Sequence, residues 1–277
     1  MIIMKLNNEN KNTAEKIISD FYNTKGWEEK EGNTIDAIAF EDLRDCAKDY
    51  LIKCRLKLLN YIPNSGTNFL DMASGPIQYK EYLTYSKNFN KRYCVDLSNS
   101  ALIEAKNKIG EHGVFLLGSF FDIALENDFF DCIVSVHTIY HMDKDLQESA
   151  IRKMIDIVKK DKPIIIIYSN PNSLVRKITL FIKKISKFFN KSNFTKVPGE
   201  GELYFYTHSL MWFERFKDVA EVEVVPWRTF GTEVQKKLFP NNQFGKYLFK
   251  ILYFFENKFQ KLFNYISLYP MIIITKK

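Results

Sequence analysis

Between residues 66 and 170 short apolar runs alternate with amphipathic stretches, and few architectures accept that alternation. The apolar runs are Asn68–Met72, Arg92–Leu97, Val114–Leu117, Cys132–Val136 and Pro163–Tyr168. Ser98–Ile109, with Ser98 as its N-cap, and Asp145–Lys159 separate two pairs of them with helical patterns that bury one face. Strands joined through crossover helices lie parallel, and a parallel sheet must be covered on both sides. The expected fold is α/β, doubly wound and mostly parallel.

The flanks read differently. A short helix over Ala14–Tyr22 leads into a loop with Gly26, Trp27 and Gly32, and a longer helix over Glu41–Tyr61 carries a stripe of Leu43, Ala47, Leu51, Cys54, Leu58 and Tyr61. Beyond Asn170 an amphipathic helix covers Ser173–Phe189, with Leu174, Ile178, Phe181, Ile185 and Phe188 on one side and Lys177, Lys183, Lys184 and Lys187 around it. Thr207 is the expected cap of a helix over Ser209–Phe216, Glu221–Trp227 alternates as a strand, Lys246–Asn264 is helical, and Met271–Thr275 is the last strand. Phe181, Phe188, Phe189, Phe249, Phe254 and Phe255 are mostly expected to pack the added helices onto the sheet, with lysines outside.

Length and charge narrow the function classes. With 277 residues the chain holds one large core and is short for two average domains. The greasiest segments are interrupted by Lys183, Lys184 and Lys250, so none reaches the roughly 18 apolar residues of a membrane span. The opening residues turn polar too early for a secretory signal, and a cytoplasmic location is expected. Cys46, Cys54, Cys94 and Cys132 form no CxxC pair and read as buried thiols. Residues 1–170 carry 22 basic against 25 acidic side chains, and residues 171–277 carry 18 against 8. The basic third suits an anionic partner: a phosphate-bearing small molecule, or peripheral contact with a membrane surface. Lys outnumbers Arg 33 to 7, a ratio that disfavours sequence-specific reading of nucleic acid.

Ligands of a doubly wound sheet sit at the carboxyl ends of its strands. The first such turn reads Asp71-Met72-Ala73-Ser74-Gly75-Pro76, and the second strand ends at Asp96-Leu97. Small residues let backbone approach a ligand, and an acid at that second position can accept both hydroxyls of a ribose. Pro76 and Ile77 stand where a dinucleotide fingerprint wants slim backbone, and no GxGxxG exists. A nucleoside cofactor without pyrophosphate fits better.

At these residues the chain resembles the class I S-adenosylmethionine-dependent methyltransferases, over roughly residues 40 to 170. The resemblance rests on the first turn, on Asp96, on Leu117-Gly118-Ser119-Phe120, and on the run from Phe130-Asp131 to His141. It implies a Rossmann-like seven-stranded sheet with an antiparallel C-terminal strand and S-adenosylmethionine as cofactor. Ala73 and Gly75 would line the methionine part, Asp96 would hold the ribose, Ser119 and Phe120 would flank the adenine, and Leu97 would also touch the cofactor. Asp71 would either touch the cofactor or fix the loop. The family often has glycines at positions 73 and 77, and usually an aspartate where Ser119 stands.

The resemblance makes the chain one methyltransferase domain over 1–277, with an N-terminal helical cap (1–65), a cofactor-binding core (66–170) and substrate-side insertions (171–206 and 229–269). The loop after the fourth strand holds His137, Tyr140 and His141 beside the expected methyl group. His141 is the preferred general base, and His137 and Tyr140 are pocket walls. His137 and His141 have the i, i+4 spacing of a metal pair, but no third ligand lies nearby in sequence and no metal is expected. Tyr22 and Trp27 are expected on the substrate. The expected reaction is O-methylation of a sugar, nucleotide-linked or other anionic metabolite, such as a glycan precursor. Lipid or quinone methylation at a membrane surface, and a non-catalytic binding module, are the alternatives.

Overall fold

The computed structural model describes residues 7–30, 32–189 and 203–277. Seven strands form its main sheet: β1 Gly66–Met72, β2 Phe89–Asp96, β3 Gly113–Leu117, β4 Cys132–Val136, β5 Pro163–Ile167, β6 Ala220–Arg228 and β7 Tyr269–Lys276. Their spatial order is β3-β2-β1-β4-β5-β7-β6, and only the C-terminal β7 runs against its neighbours. This is the doubly wound, Rossmann-like sheet that the alternation predicts. Strand order reverses between β1 and β4, so the carboxyl ends of β1, β2 and β4 border the crevice where such sheets bind ligands.

The centre of the sheet is apolar on both faces, as its covered parallel strands require. Ile164 and Ile166 of β5 join Leu70, Ile133, Ile151 and Phe213 on one side, and Ile165 and Ile167 join Phe69, Val134, Leu58 and Trp227 on the other. The Phe130-Asp131 pair clips β1 to the start of β4. Asp131 Oδ2 accepts from the Thr67 and Asn68 N–H groups at 2.8 and 3.0 Å, and Oδ1 accepts from Lys159 at 2.8 Å.

Ten α-helices surround the sheet among the described residues: α1 Asn7–Phe21, α2 Ile35–Phe40, α3 Asp45–Leu56, α4 Lys80–Leu83, α5 Asn99–Ile109, α6 Gln147–Ile157, α7 Leu174–Phe189, α8 Thr232–Leu238, α9 Gln243–Lys258 and α10 Gln260–Ile266. Ser98 caps α5 as expected, its Oγ accepting from Ala101 N–H at 3.2 Å. Two short strands, Glu29–Lys30 and Asn33–Thr34, pair before α2.

Four expectations need correction. The helix expected from Glu41 begins at Asp45, because Asp42 grips Arg44 with both carboxylate oxygens at 2.7 Å and Glu41 reaches Arg55 and Arg228; Leu43 is left exposed. Thr207 caps nothing: the following element is a 3-10 helix, Leu210–Phe216, with Ser209 at its N-cap position. The single helix expected over Lys246–Asn264 is two, broken at Phe259, where φ −117° and ψ 49° leave the helical region. Phe181 and Phe254 are more than half exposed and Phe255 is exposed, so among the aromatic residues expected to pack the added helices only Phe249 is described as buried. The side chains of Lys183, Ile185, Lys187, Phe188 and Phe189 lie outside the described residues, as do residues 190–202 of the 171–206 insertion.

Candidate active site

A cavity of about 350 Å³ opens at the carboxyl ends of β1, β2 and β4. Its floor is the turn after β1, where Ala73, Gly75 and Ile77 have φ of 60°, 55° and 51°. Left-handed backbone at alternate positions turns the chain sharply, and glycine adopts it without strain. Ala73 and Ile77 hold that path at a cost of about 1–2 kcal/mol each. Packing keeps Ile77 there: it is buried against Cys94, Leu102 and Ala105. The departures from glycine at 73 and 77 therefore leave the turn intact.

Asp96 closes β2 and binds that turn to the start of α5. Its Oδ2 accepts from Gly75 N–H and its Oδ1 from Ser98 N–H, both at 2.8 Å. Burial pushes its pKa up to about 6, against the lowering effect of those two bonds. Leu97 lines the cavity beside it. Asp71, also on the wall, forms a buried ion pair with Arg92, whose Nη1 donates to the Tyr82 carbonyl at 2.6 Å. Breaking such a pair from one side costs about 3–5 kcal/mol.

At the end of β3, Gly118 and Phe120 line the cavity and Ser119 does not. The Ser119 hydroxyl donates to Glu15 Oε1 at 2.6 Å and accepts from Phe121 N–H at 3.2 Å. Glu15 belongs to α1 and itself lines the cavity. Sequence reasoning missed it, because the contact spans 104 positions.

Residues before α2 cover the crevice. Tyr22 and Trp27 stack with ring centroids 4.8 Å apart, and the Trp27 ring lies where a Gly75 Cβ would meet it at 2.9 Å. Tyr22 Oη donates to Asp36 Oδ1 at 3.3 Å, and burial raises Asp36 to about 6.

The loop after β4 forms the opposite wall. His137 has φ 58°, its Nδ1 lies 2.8 Å from Tyr140 Oη, and its ring meets Trp227 and Tyr269 edge-on. Burial holds its pKa well below the usual histidine range. His141 Nδ1 lies 2.8 Å from the Tyr204 carbonyl oxygen, and burial lowers its pKa as well. His137, Tyr140 and His141 all face the cavity that Asp96 and Gly75 border.

Tyr79, Tyr82, Phe205 and Tyr269 extend this wall away from the β1 turn. Arg228 is buried among them, its Nη1 3.0 Å from Glu41, which also pairs with Arg55. Arg176, in the first turn of α7, reaches the same cavity with no partner for its guanidinium among the described residues. Of the site residues read from sequence, all but Ser119 line one cavity: Tyr22, Trp27, Asp71, Ala73, Gly75, Asp96, Leu97, Phe120, His137, Tyr140 and His141.

Residues 70–166 match the family described as a methyltransferase domain. Over these residues the chain carries a methyltransferase domain, on the Rossmann-like fold of S-adenosylmethionine-dependent methyltransferases. No curated protein matches its sequence. Among solved structures, this methyltransferase is similar to magnesium protoporphyrin IX methyltransferase from Synechocystis with bound SAH, at TM-score 0.53 and 11% identity over 95% of this chain and 100% of that one. A DhpI–SAM–HEP complex gives TM-score 0.55 and 11% identity over 94% and 96%. Phosphoethanolamine N-methyltransferase 1 from Haemonchus contortus gives 0.57 and 9% over 97% of this chain and 50% of that one. At such identities the likeness is one of fold.

S-adenosylmethionine is the cofactor of this methyltransferase. The residues present suit it: carboxylates of Glu15, Asp71 and Asp96 border the crevice, and a Cβ at Gly75 would close the space between the turn and Trp27. Cationic sulfonium and ribose hydroxyls both call for acceptor oxygens.

Proposed function

We propose that this methyltransferase methylates an oxygen atom of a small anionic metabolite, such as a sugar or nucleotide-linked compound, with His141 as general base. The observation that carries this reading is the contact between His141 Nδ1 and the Tyr204 carbonyl. A carbonyl only accepts, so Nδ1 bears the proton and Nε2 keeps its lone pair. Burial favours the neutral ring, the form that can take a proton. An amine acceptor that reacts as the free base needs no such group, whereas a hydroxyl becomes a competent nucleophile as its proton leaves.

S-adenosylmethionine supplies the electrophilic methyl group when bound. In this reading Asp96 accepts from the two ribose hydroxyls, and the backbone of Ala73 and Gly75 lies against the methionine part. Leu97 and Phe120 flank the adenine. Glu15, oriented by Ser119, accepts from the exocyclic amine in place of the aspartate that the family usually has at position 119. Asp71 acts through Arg92 to hold β1 and β2 in register below the turn. Tyr22 and Trp27 close over the reacting groups and exclude water, which strengthens every polar contact beneath them.

His137 and Tyr140 hold each other and shape the wall beside the acceptor oxygen. Tyr79, Tyr82, Phe205 and Tyr269 offer ring faces to the acceptor body, and Arg176 offers its acidic group a guanidinium with no partner among the described residues. Proximity supplies most of the acceleration in such a transfer, and the base adds about 10²–10⁴-fold. Cell extract incubated with cofactor carrying an isotope-labelled methyl group tests the assignment by mass spectrometry. Label on the oxygen of an acidic metabolite, lost with His141→Gln, is the expected result. Label on nitrogen, or unchanged turnover in that variant, rejects the reading.

A further inference from the structure

The apolar stripe of α7 points away from the core. Leu174, Ile178, Phe181 and Ile182 follow the i, i+4, i+7, i+8 spacing that marks one helix face, and all are about half exposed or more. Val175 is buried on the other side, so the helix is anchored by its narrower apolar edge. The helix α10 packs beside α7 and exposes Leu262 and Tyr265. At the corner between α9 and α10, Phe254, Phe255 and Phe259 are exposed in mutual contact, with the Lys258 ammonium over two of the rings.

Charge on these helices has one sign. The segment from Leu174 to Phe189 contains Arg176, Lys177, Lys183, Lys184 and Lys187 and no acid. From Gln243 to Ile266 the charged residues are Lys246, Lys250, Lys258, Lys261 and a single acid, Glu256, which is fully buried and paired with Lys57. A soluble surface of this size mixes both signs and exposes large apolar side chains singly. Contiguous apolar residues on helices whose exposed charges are all positive match a surface that is negative at its face and greasy beneath.

We propose that the outward faces of α7 and α10, with the C-terminal turn of α9, dock on an anionic lipid bilayer. Apolar side chains enter the boundary between headgroups and acyl chains, and the lysines lie at headgroup level. Contact is peripheral, since among the described residues no helix is long and apolar enough to cross a membrane. Arg176 of α7 and Leu268, two residues beyond α10, line the cavity, so the docking face and the catalytic crevice share an edge.

Flotation of the full chain with vesicles tests this without cofactor or turnover, so its outcome is independent of the assigned chemistry. The protein is expected to float with vesicles of phosphatidylcholine containing phosphatidylglycerol, to remain behind with phosphatidylcholine alone, and to be released by high salt. Lys177→Gln and Lys184→Gln should each lower the partition coefficient about fivefold, equivalent to about 1 kcal/mol per lysine. Phe181→Asp should abolish flotation while leaving thermal stability unchanged, because that side chain is 64% exposed. Absence of flotation with anionic vesicles, equal flotation with neutral ones, or wild-type partition of Phe181→Asp overturns the proposal. So does a concentration-dependent dimer that buries this face and excludes lipid.

Discussion

Ser119 Oγ donates a 2.6 Å hydrogen bond to Glu15 Oε1, tying the end of β3 to α1. The bond sets a carboxylate from the first helix beside Gly118 and Phe120, at the edge of the cavity. Glu15→Gln replaces an acceptor by a group that can also donate. Affinity for S-adenosylhomocysteine should fall about tenfold, the worth of one charge-assisted hydrogen bond. Affinity for S-inosylhomocysteine, whose base presents a carbonyl in place of the amine, should rise. Titration calorimetry with both ligands reads the change; equal effects on the two would remove Glu15 from base recognition.

His141 should matter to turnover and little to cofactor binding. With His141→Gln, kcat should drop about 10²–10⁴-fold while the dissociation constant of S-adenosylhomocysteine stays within about twofold. Because burial lowers the His141 pKa, its protonated form appears only below the ordinary histidine range. The acid limb of the kcat profile should therefore lie below about pH 6.5. A limb above that value would assign the base to another group.

Asp96 should make cofactor affinity pH-dependent. Its folded pKa of about 6 lies above that of the unfolded chain, near 3.9. The folded protein thus retains a proton that the unfolded chain releases. The associated stabilisation is complete below the unfolded value and is lost as pH rises through about 6. Ribose hydroxyls donate to the carboxylate and favour its ionised form, so binding at pH near 6 should release a proton and affinity should weaken on acidification. Calorimetry in two buffers of different ionisation enthalpy counts that proton. Asp96→Asn should abolish the release, and release persisting in that variant would place the titration elsewhere.

Gly75 and Trp27 should be energetically coupled. A Cβ on Gly75 meets the Trp27 ring at 2.9 Å, on backbone with φ 55°. Gly75→Ala should cost about 1–2 kcal/mol from the left-handed backbone alone, and more when the ring must shift. In a Trp27→Ala background only the backbone cost should remain. Denaturant melts of the four proteins in the cycle measure the difference, and strict additivity would show that the ring already stands clear.

The strand positions were legible because each inner strand is apolar on both sides over its middle residues; Pro163–Ile167 is one such run. The loop residues His137, Tyr140 and His141 were legible because the turn at the end of β4 must face the crevice in this topology. Glu15, Arg176 and Arg228 were not. Their elements are separated from the turn of β1 by a helix, a sheet edge or most of the chain, and no local pattern marks a side chain that crosses such a gap. The outward stripe of α7 misled for a related reason: periodicity shows that one face is apolar without saying which partner covers it.

The sequence by itself determined the order of the seven main strands along the chain, the sharp turn after β1 and the acid at the end of β2, since each follows from local periodicity and local backbone demands. Tertiary structure alone decided which carboxylate stands at the end of β3, which nitrogen of His141 keeps its lone pair, and which way the α7 stripe faces. Those choices depend on hydrogen bonds and contacts between groups far apart in the chain, where the geometry of the folded backbone, and not the neighbouring residues, sets the partner.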